Sequence, residues 1–151
     1  MNTIKCYCDA SFCPERKVAV CGWKIGNNDC FTKVIHNTNN TRAEYLAILD
    51  LLNHIDKINQ YIIYTDCQGI INTINKKDKL ISKNFRNKKG EDLANGDLYK
   101  LLFTVLENHH NISIVFTPGH MPSKLMNIDN QMFSQVDKLI RKELRIYLSQ
   151  Q

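Results

Sequence analysis

The sequence predicts one mixed α/β domain, residues 1–151, built on a five-stranded sheet with helices packed on its faces. Three observations predict it. The first third of the chain reads as strands joined by short turns, the pattern switches to helical spacing near Thr41, and strand and helix alternate from there onward. Thr3 to Cys8 alternates, Lys17 to Ile25 is β-branched and apolar around Gly22-Trp23, and Cys30 to His36 alternates again. Pro14-Glu15-Arg16 and Gly26-Asn27-Asn28-Asp29 lie between them, and connections that short join antiparallel neighbours, so these segments form a three-stranded meander.

From Thr41 to about Ile55 the spacing of Ile48, Leu51 and Ile55 is helical. Tyr61-Ile62-Ile63-Tyr64-Thr65 is a continuous apolar run, as expected of a strand covered on both faces. A short helix from about Gln68 to Asn75 follows, then a basic segment, then a helix from about Asp97 to Asn108 carrying Leu98, Leu101, Leu102, Val105 and Leu106. Ile112 to Phe116 is the fifth strand, and about Asn130 to Leu148 the last amphipathic helix.

Composition narrows the class. With 151 residues, 43% hydrophobic and 23% charged, the chain can bury a core, which argues against disorder and repeat arrays. No apolar run is long enough to span a membrane and the polar N-terminus does not resemble a signal peptide, so a cytoplasmic protein with no membrane partner is expected. Six cysteines, Cys6, Cys8, Cys13, Cys21, Cys30 and Cys67, contain no C-x-x-C pair and lie mostly in strand-like runs, so free structural thiols and a reducing compartment are expected.

The net charge of +5 is unevenly spread. Lys76, Lys77, Lys79, Lys83, Arg86, Lys88 and Lys89 face a single acid, Asp78, which makes residues 76–89 +6 and leaves the remainder at −1. One segment therefore carries the whole excess, as a contact for a polyanion would.

Four carboxylates point the other way. Asp9 is expected to end the first strand and Asp66 the fourth; if a helical crossover makes those strands parallel neighbours, the two acids meet at one edge of the sheet. Glu44 shares a helical stripe with Ile48, Leu51 and Ile55, and Asp137 shares one with Phe133, Ile140 and Leu144, so both project from apolar faces. Such acids are costly to bury unless paired, and the chain offers no matching set of buried bases. Hard oxygen ligands gathered in this way suit Mg²⁺, with Mn²⁺ as a substitute, and two such ions can clamp the attacking water and the leaving oxygen of a phosphodiester.

The segments Cys8-Asp9-Ala10-Ser11, Asn40-Thr41-Arg42-Ala43-Glu44-Tyr45, Tyr64-Thr65-Asp66-Cys67-Gln68, Thr117-Pro118-Gly119-His120 and Val136-Asp137-Lys138-Leu139 resemble, in order, the motifs of type 1 ribonuclease H. The resemblance covers nearly the whole chain. It implies the RNase H-like fold, with the fourth and fifth strands parallel to the first, and an endonuclease that cuts the RNA strand of an RNA:DNA hybrid, leaving 5′-phosphate and 3′-hydroxyl ends. It further implies Asp9, Glu44, Asp66 and Asp137 as ligands of two Mg²⁺ ions, and His120 as a loop residue that assists proton transfer and product departure. Between His120 and Asp137 the chain is longer than is usual in the family and lacks the customary Asn-Glu lead-in, which leaves Asp129 as a rival for the fourth ligand.

An A-form-like hybrid shows its 2′-hydroxyls in a wide, shallow minor groove. By resemblance Asn40 and Gln68 are placed to read them, with Ser11, Thr41 and Cys13 nearby; a helix cap near Thr41 is the structural alternative. The basic segment, with Lys76, Lys77, Lys83, Arg86, Lys88 and Lys89, falls where some family members carry a protrusion that grips the DNA strand, though Phe85 is the only aromatic residue among its lysines. A monomer is expected, and Asp9 lies so near the N-terminus that no separate hybrid-binding domain is expected ahead of the first strand. Two other readings stay open at this level: another nuclease of the superfamily, such as an exonuclease or resolvase, and a non-catalytic hybrid- or RNA-binding module.

Overall fold

The computed structural model describes residues 2–151. Its elements are β1 (Thr3–Cys13), β2 (Val18–Ile25), β3 (Phe31–Ile35), α1 (Asn40–Leu52), β4 (Gln60–Thr65), α2 (Gln68–Asn75), α3 (Lys77–Ser82), α4 (Gly96–Glu107), β5 (Ile112–Phe116) and α5 (Ile128–Ser149), with a 3₁₀ turn at Ser123–Leu125. The strands form one sheet in the order β3-β2-β1-β4-β5. β1 pairs antiparallel with β2 and β2 with β3, while β4 runs parallel to both β1 and β5. The mixed five-stranded sheet expected from the sequence is therefore present.

Side chains of a strand alternate between faces, and here each face has its own core. Cys6, Cys8, Cys21 and Trp23 pack beneath Tyr45, Ile48, Leu51 and Leu52 of α1, with Ile70 of α2 and Leu98 and Leu102 of α4. Tyr7, Val18 and Val20 face the other way, against Phe133, Val136, Ile140 and Leu144 of α5. Burying a large apolar side chain completely, as at Phe133 or Ile140, contributes roughly 2 kcal/mol. Gly22 lets α5 settle this closely: a Cβ there would lie 2.9 Å from Ile140 Cγ1 and 2.8 Å from the Phe31 carbonyl oxygen.

Several boundaries differ from the sequence reading, each for a physical reason. β1 does not end at Asp9 but continues to Cys13, because β2 hydrogen-bonds it as far as the Cys13–Val18 pair. What stops near Asp9 is the parallel partner, since the last β1–β4 pair is Tyr7–Tyr64. α1 ends at Leu52, so Ile55 is buried beyond the helix rather than on it. α5 begins at Ile128, where Asn127 and Asn130 form a reciprocal capping box. All six cysteines are free, and burial pushes the Cys6 thiol up to about 12 and the Cys21 thiol up to about 11. Among the described residues no helix is long and apolar enough to cross a membrane.

Candidate active site

The parallel strands β1 and β4 set the site. Asp9 lies two residues past the last β1–β4 pair, and Asp66 follows the final residue of β4, so both carboxylates sit at the same end of the sheet. Thr65 turns the chain there: its hydroxyl accepts the Cys67 N–H at 3.1 Å, and its carbonyl accepts the Thr117 N–H at 2.8 Å. That second bond brings the loop after β5 against Asp66. A Cβ on Gly119 would collide with the Asp66 carboxylate, so any larger residue there displaces that side chain.

Glu44 comes in from α1, whose start is fixed by Asn39 accepting the Arg42 N–H at 2.9 Å. Asp9, Glu44 and Asp66 present carboxylate oxygens that all lie within 4.8 Å of one another. Asp9 is 3% exposed and Glu44 8%. Burial first, and then the Glu44 and Asp66 carboxylates, drive the Asp9 carboxyl far above the usual carboxylate range. Glu44 is raised by burial and by Asp66, and Asp66 mainly by burial.

Asp9 Oδ2 is buried and accepts no hydrogen bond from any of the described residues. An orphaned acceptor facing two further carboxylates is a donor set made only of oxygen, which fits a divalent cation.

Asp137 joins this hollow from α5. With Asp9, Ala10, Ser11, Phe12, Asn40, Glu44, Asp66, Cys67, His120 and Arg141 it lines a depression of about 350 Å³. Its carboxylate is forked by Arg141 at i+4, with Nε donating to Oδ1 at 3.2 Å and Nη2 lying 2.9 Å from Oδ2. Arg141 Nη2 also lies 3.4 Å from His120 Nε2, and because arginine has no acceptor the imidazole nitrogen accepts.

Asp129 is held elsewhere. Lys5 Nζ lies 3.0 Å from its Oδ1, and the Tyr7 and Tyr64 hydroxyls donate to it at 3.2 and 3.0 Å. These contacts outweigh burial and keep the Asp129 carboxyl below its usual range.

The other residues picked out by sequence divide. Ser11 and Asn40 line the depression, and Asn40 is free to do so because Asn39, not Asn40, caps α1. Thr41, Cys13 and Gln68 lie outside the lining; Cys13 Sγ points to Glu15 at 3.3 Å, and Gln68 donates to Asn72 at 3.1 Å. In the basic segment Lys77 pairs with Glu107 at 3.2 Å and Arg86 with Asp92 at 3.5 Å, while Lys76, Lys83, Lys88 and Lys89 make no ion pair among the described residues. Phe85 turns inward, its ring 6.1 Å from that of Phe103 and capped by Lys100, so the protruding lysines carry no outward aromatic side chain. Sequence reasoning missed Arg141, whose signal was the i, i+4 spacing from Asp137.

The RNase H family model matches residues 1–145. The chain is similar to a ribonuclease H of Caldicellulosiruptor saccharolyticus, 30% identical over 111 residues that cover 72% of this chain and 73% of that protein. It is also similar to a ribonuclease H of Lachnoclostridium phytofermentans, 29% identical over 85 residues that cover 55% of this chain and 53% of that protein. With its carboxylates gathered where β1 outruns β4 and a family match over almost its full length, the chain belongs to the RNase H family.

Proposed function

We propose that this chain is a type 1 ribonuclease H that hydrolyses the RNA strand of RNA:DNA hybrids internally, leaving 5′-phosphate and 3′-hydroxyl ends. The observation that carries the reading is the trio of buried Asp9, buried Glu44 and half-buried Asp66, with one oxygen of Asp9 left without a partner among the described residues. Asp9, Glu44, Asp66 and Asp137 are the residues that would hold two divalent ions, Mg²⁺ or Mn²⁺. Asp137 is preferred over Asp129 because it faces the depression, whereas Asp129 is already satisfied by Lys5, Tyr7 and Tyr64. When bound, the two ions supply the positive charge that clamps the attacking water and the leaving oxygen of the phosphodiester.

The chain's own residues do the rest. Asp9 and Asp66 are set rigidly by β1 and β4, which keeps the carboxylates in place without reorganisation. His120, exposed on the loop after Gly119 and able to accept at Nε2, takes up or returns a proton at the edge of the depression. Ser11 and Asn40 line the approach from the minor groove and present short polar groups to 2′-hydroxyls, with Thr41, Gln68 and Cys13 at its margin. Lys76, Lys83, Lys88 and Lys89 supply salt-sensitive contacts to the DNA backbone, supported by Lys77 and Arg86. The chain acts as a monomer and a single catalytic domain, in a reducing, cytoplasmic setting.

Incubation with labelled RNA:DNA hybrid, duplex RNA and duplex DNA, in Mg²⁺, Mn²⁺ or EDTA, tests the proposal. Metal-dependent cuts confined to the RNA of the hybrid are expected, and no hybrid cleavage with either ion would refute it.

A further inference from the structure

Next to the catalytic depression lies a second hollow of about 460 Å³, walled by the loop after Gly119 and by α5. Its lining includes Ser123, Ser134, Asp137, Lys138 and Arg141, and it shares His120, Asp137 and Arg141 with the catalytic depression, so the two abut. Their charge is opposite. The depression holds four acids against one arginine, whereas this groove holds Lys138 and Arg141 against Asp137 alone.

Arg141 is not loose in the groove. Its Nε and Nη2 are spent on Asp137 and His120, which fixes the guanidinium plane and leaves both Nη1 hydrogens without a partner among the described residues. Lys138, one residue beyond Asp137, is exposed and makes no ion pair among the described residues. A nucleic-acid strand that presents one phosphate to the carboxylates must place its neighbouring phosphate close by, and an anion there meets the outward Nη1 of a fixed guanidinium, the Lys138 ammonium and two serines.

We propose that Lys138 and Arg141, with Ser123 and Ser134, form a second phosphate subsite that holds the RNA-strand phosphodiester next to the one being cut. This rests on the reading of the chain as a hybrid-cutting nuclease. The subsite anchors the strand through a single linkage, and it is distinct from the lysines between Lys76 and Lys89, which lie on α3 and the turn after it. Its contribution is one screened phosphate contact.

Fluorescence anisotropy tests it without requiring cleavage. The full chain, Lys138→Ala and Lys138→Arg are titrated in EDTA against labelled hybrids, across salt concentrations. The hybrids are either unmodified or carry one neutral methylphosphonate linkage, moved stepwise along the RNA strand. For Lys138→Ala, affinity for the unmodified hybrid is expected to fall about tenfold and the slope of log affinity against log salt to drop by about one, with Lys138→Arg restoring both. At one RNA linkage the methylphosphonate should weaken the unsubstituted chain about tenfold and Lys138→Ala less than twofold. An unchanged slope, or a loss in Lys138→Ala that is the same on every scanned hybrid, overturns the subsite. Cleavage of the unmodified hybrid by the unsubstituted chain in Mg²⁺ is scored separately, so failure of the nuclease reading is distinguishable from failure of the subsite.

Discussion

Asp9→Asn is expected to stabilise the metal-free protein while it abolishes cleavage. Carboxylate oxygens of Asp9, Glu44 and Asp66 lie within 4.8 Å of one another, and two unit charges at that separation repel by about 3 kcal/mol at an effective dielectric near 20. The protein can relieve this by protonating Asp9, which at pH 7 costs about 4 kcal/mol for a group that ionises near 4 in the unfolded chain. The sign follows from the raised native value. Between about pH 4 and the native value the folded state holds a proton that the unfolded state has released, so stability falls as pH rises through that window. Asparagine removes most of the penalty, a gain of about 2–3 kcal/mol at pH 7, or roughly 5–10 °C in melting temperature for a chain of this size. Thermal melts in EDTA from pH 4 to pH 8 read it directly: the gap between Asp9→Asn and the unsubstituted chain should widen with pH, and Mg²⁺ should raise the melting temperature of the unsubstituted chain more than that of Asp9→Asn. A variant that melts at or below the unsubstituted chain in EDTA at pH 7 would show that the Asp9 carboxyl is not a source of instability in the metal-free protein.

Asp129→Asn should cost about 1–2 kcal/mol at neutral pH by unpairing a hydrogen-bonded carboxylate. Because the native carboxyl titrates below its usual value, that stabilisation is present above about pH 4 and lost as pH falls through the native value, which acid-unfolding curves of the two proteins will show. Cleavage by Asp129→Asn should stay within twofold, whereas Asp137→Asn should lose it; the reverse pattern in a hybrid assay would move the fourth ligand to Asp129. Gly119→Ala drives a methyl into Asp66 and should lower kcat more than tenfold with a melting temperature within a few degrees of the original. Ile140→Ala, a fully buried position against Gly22, should cost about 2–5 kcal/mol in urea titrations.

What was legible in the sequence followed from periodicity. Alternation and short turns sufficed for the meander, and the helical stripe shared with Phe133, Ile140 and Leu144 placed Asp137 inward before any contact was visible. What was not legible depended on partners distant in the chain. The extension of β1 past Asp9 rests on hydrogen bonds from β2, and polar Asp9 and Ser11 hide it. The fate of Asp129 rests on Lys5, Tyr7 and Tyr64, more than sixty residues away, whose convergence no local pattern encodes. The choice of Asn39 over Asn40 as the cap is a one-residue matter that adjacent asparagines leave open, and it decides whether Asn40 can face the depression. The sequence shows Phe85 as the one aromatic residue among the lysines but not which way it faces; its packing on Phe103 accompanies the left-handed backbone at Asn84 and Phe85.

At the centre stands the proposal that the carboxylates where β1 outruns β4 cut RNA paired to DNA. Its most direct test is cleavage of a hybrid with an end-labelled RNA strand by the unsubstituted chain and by Asp66→Asn side by side in Mg²⁺, with the product ends mapped. Internal cuts that leave 5′-phosphate and 3′-hydroxyl ends, absent in EDTA and absent with an Asp66→Asn protein that still binds the hybrid, are the predicted result. Cleavage that survives Asp66→Asn, or that persists in EDTA, would rule out these carboxylates as the metal-dependent cutting site.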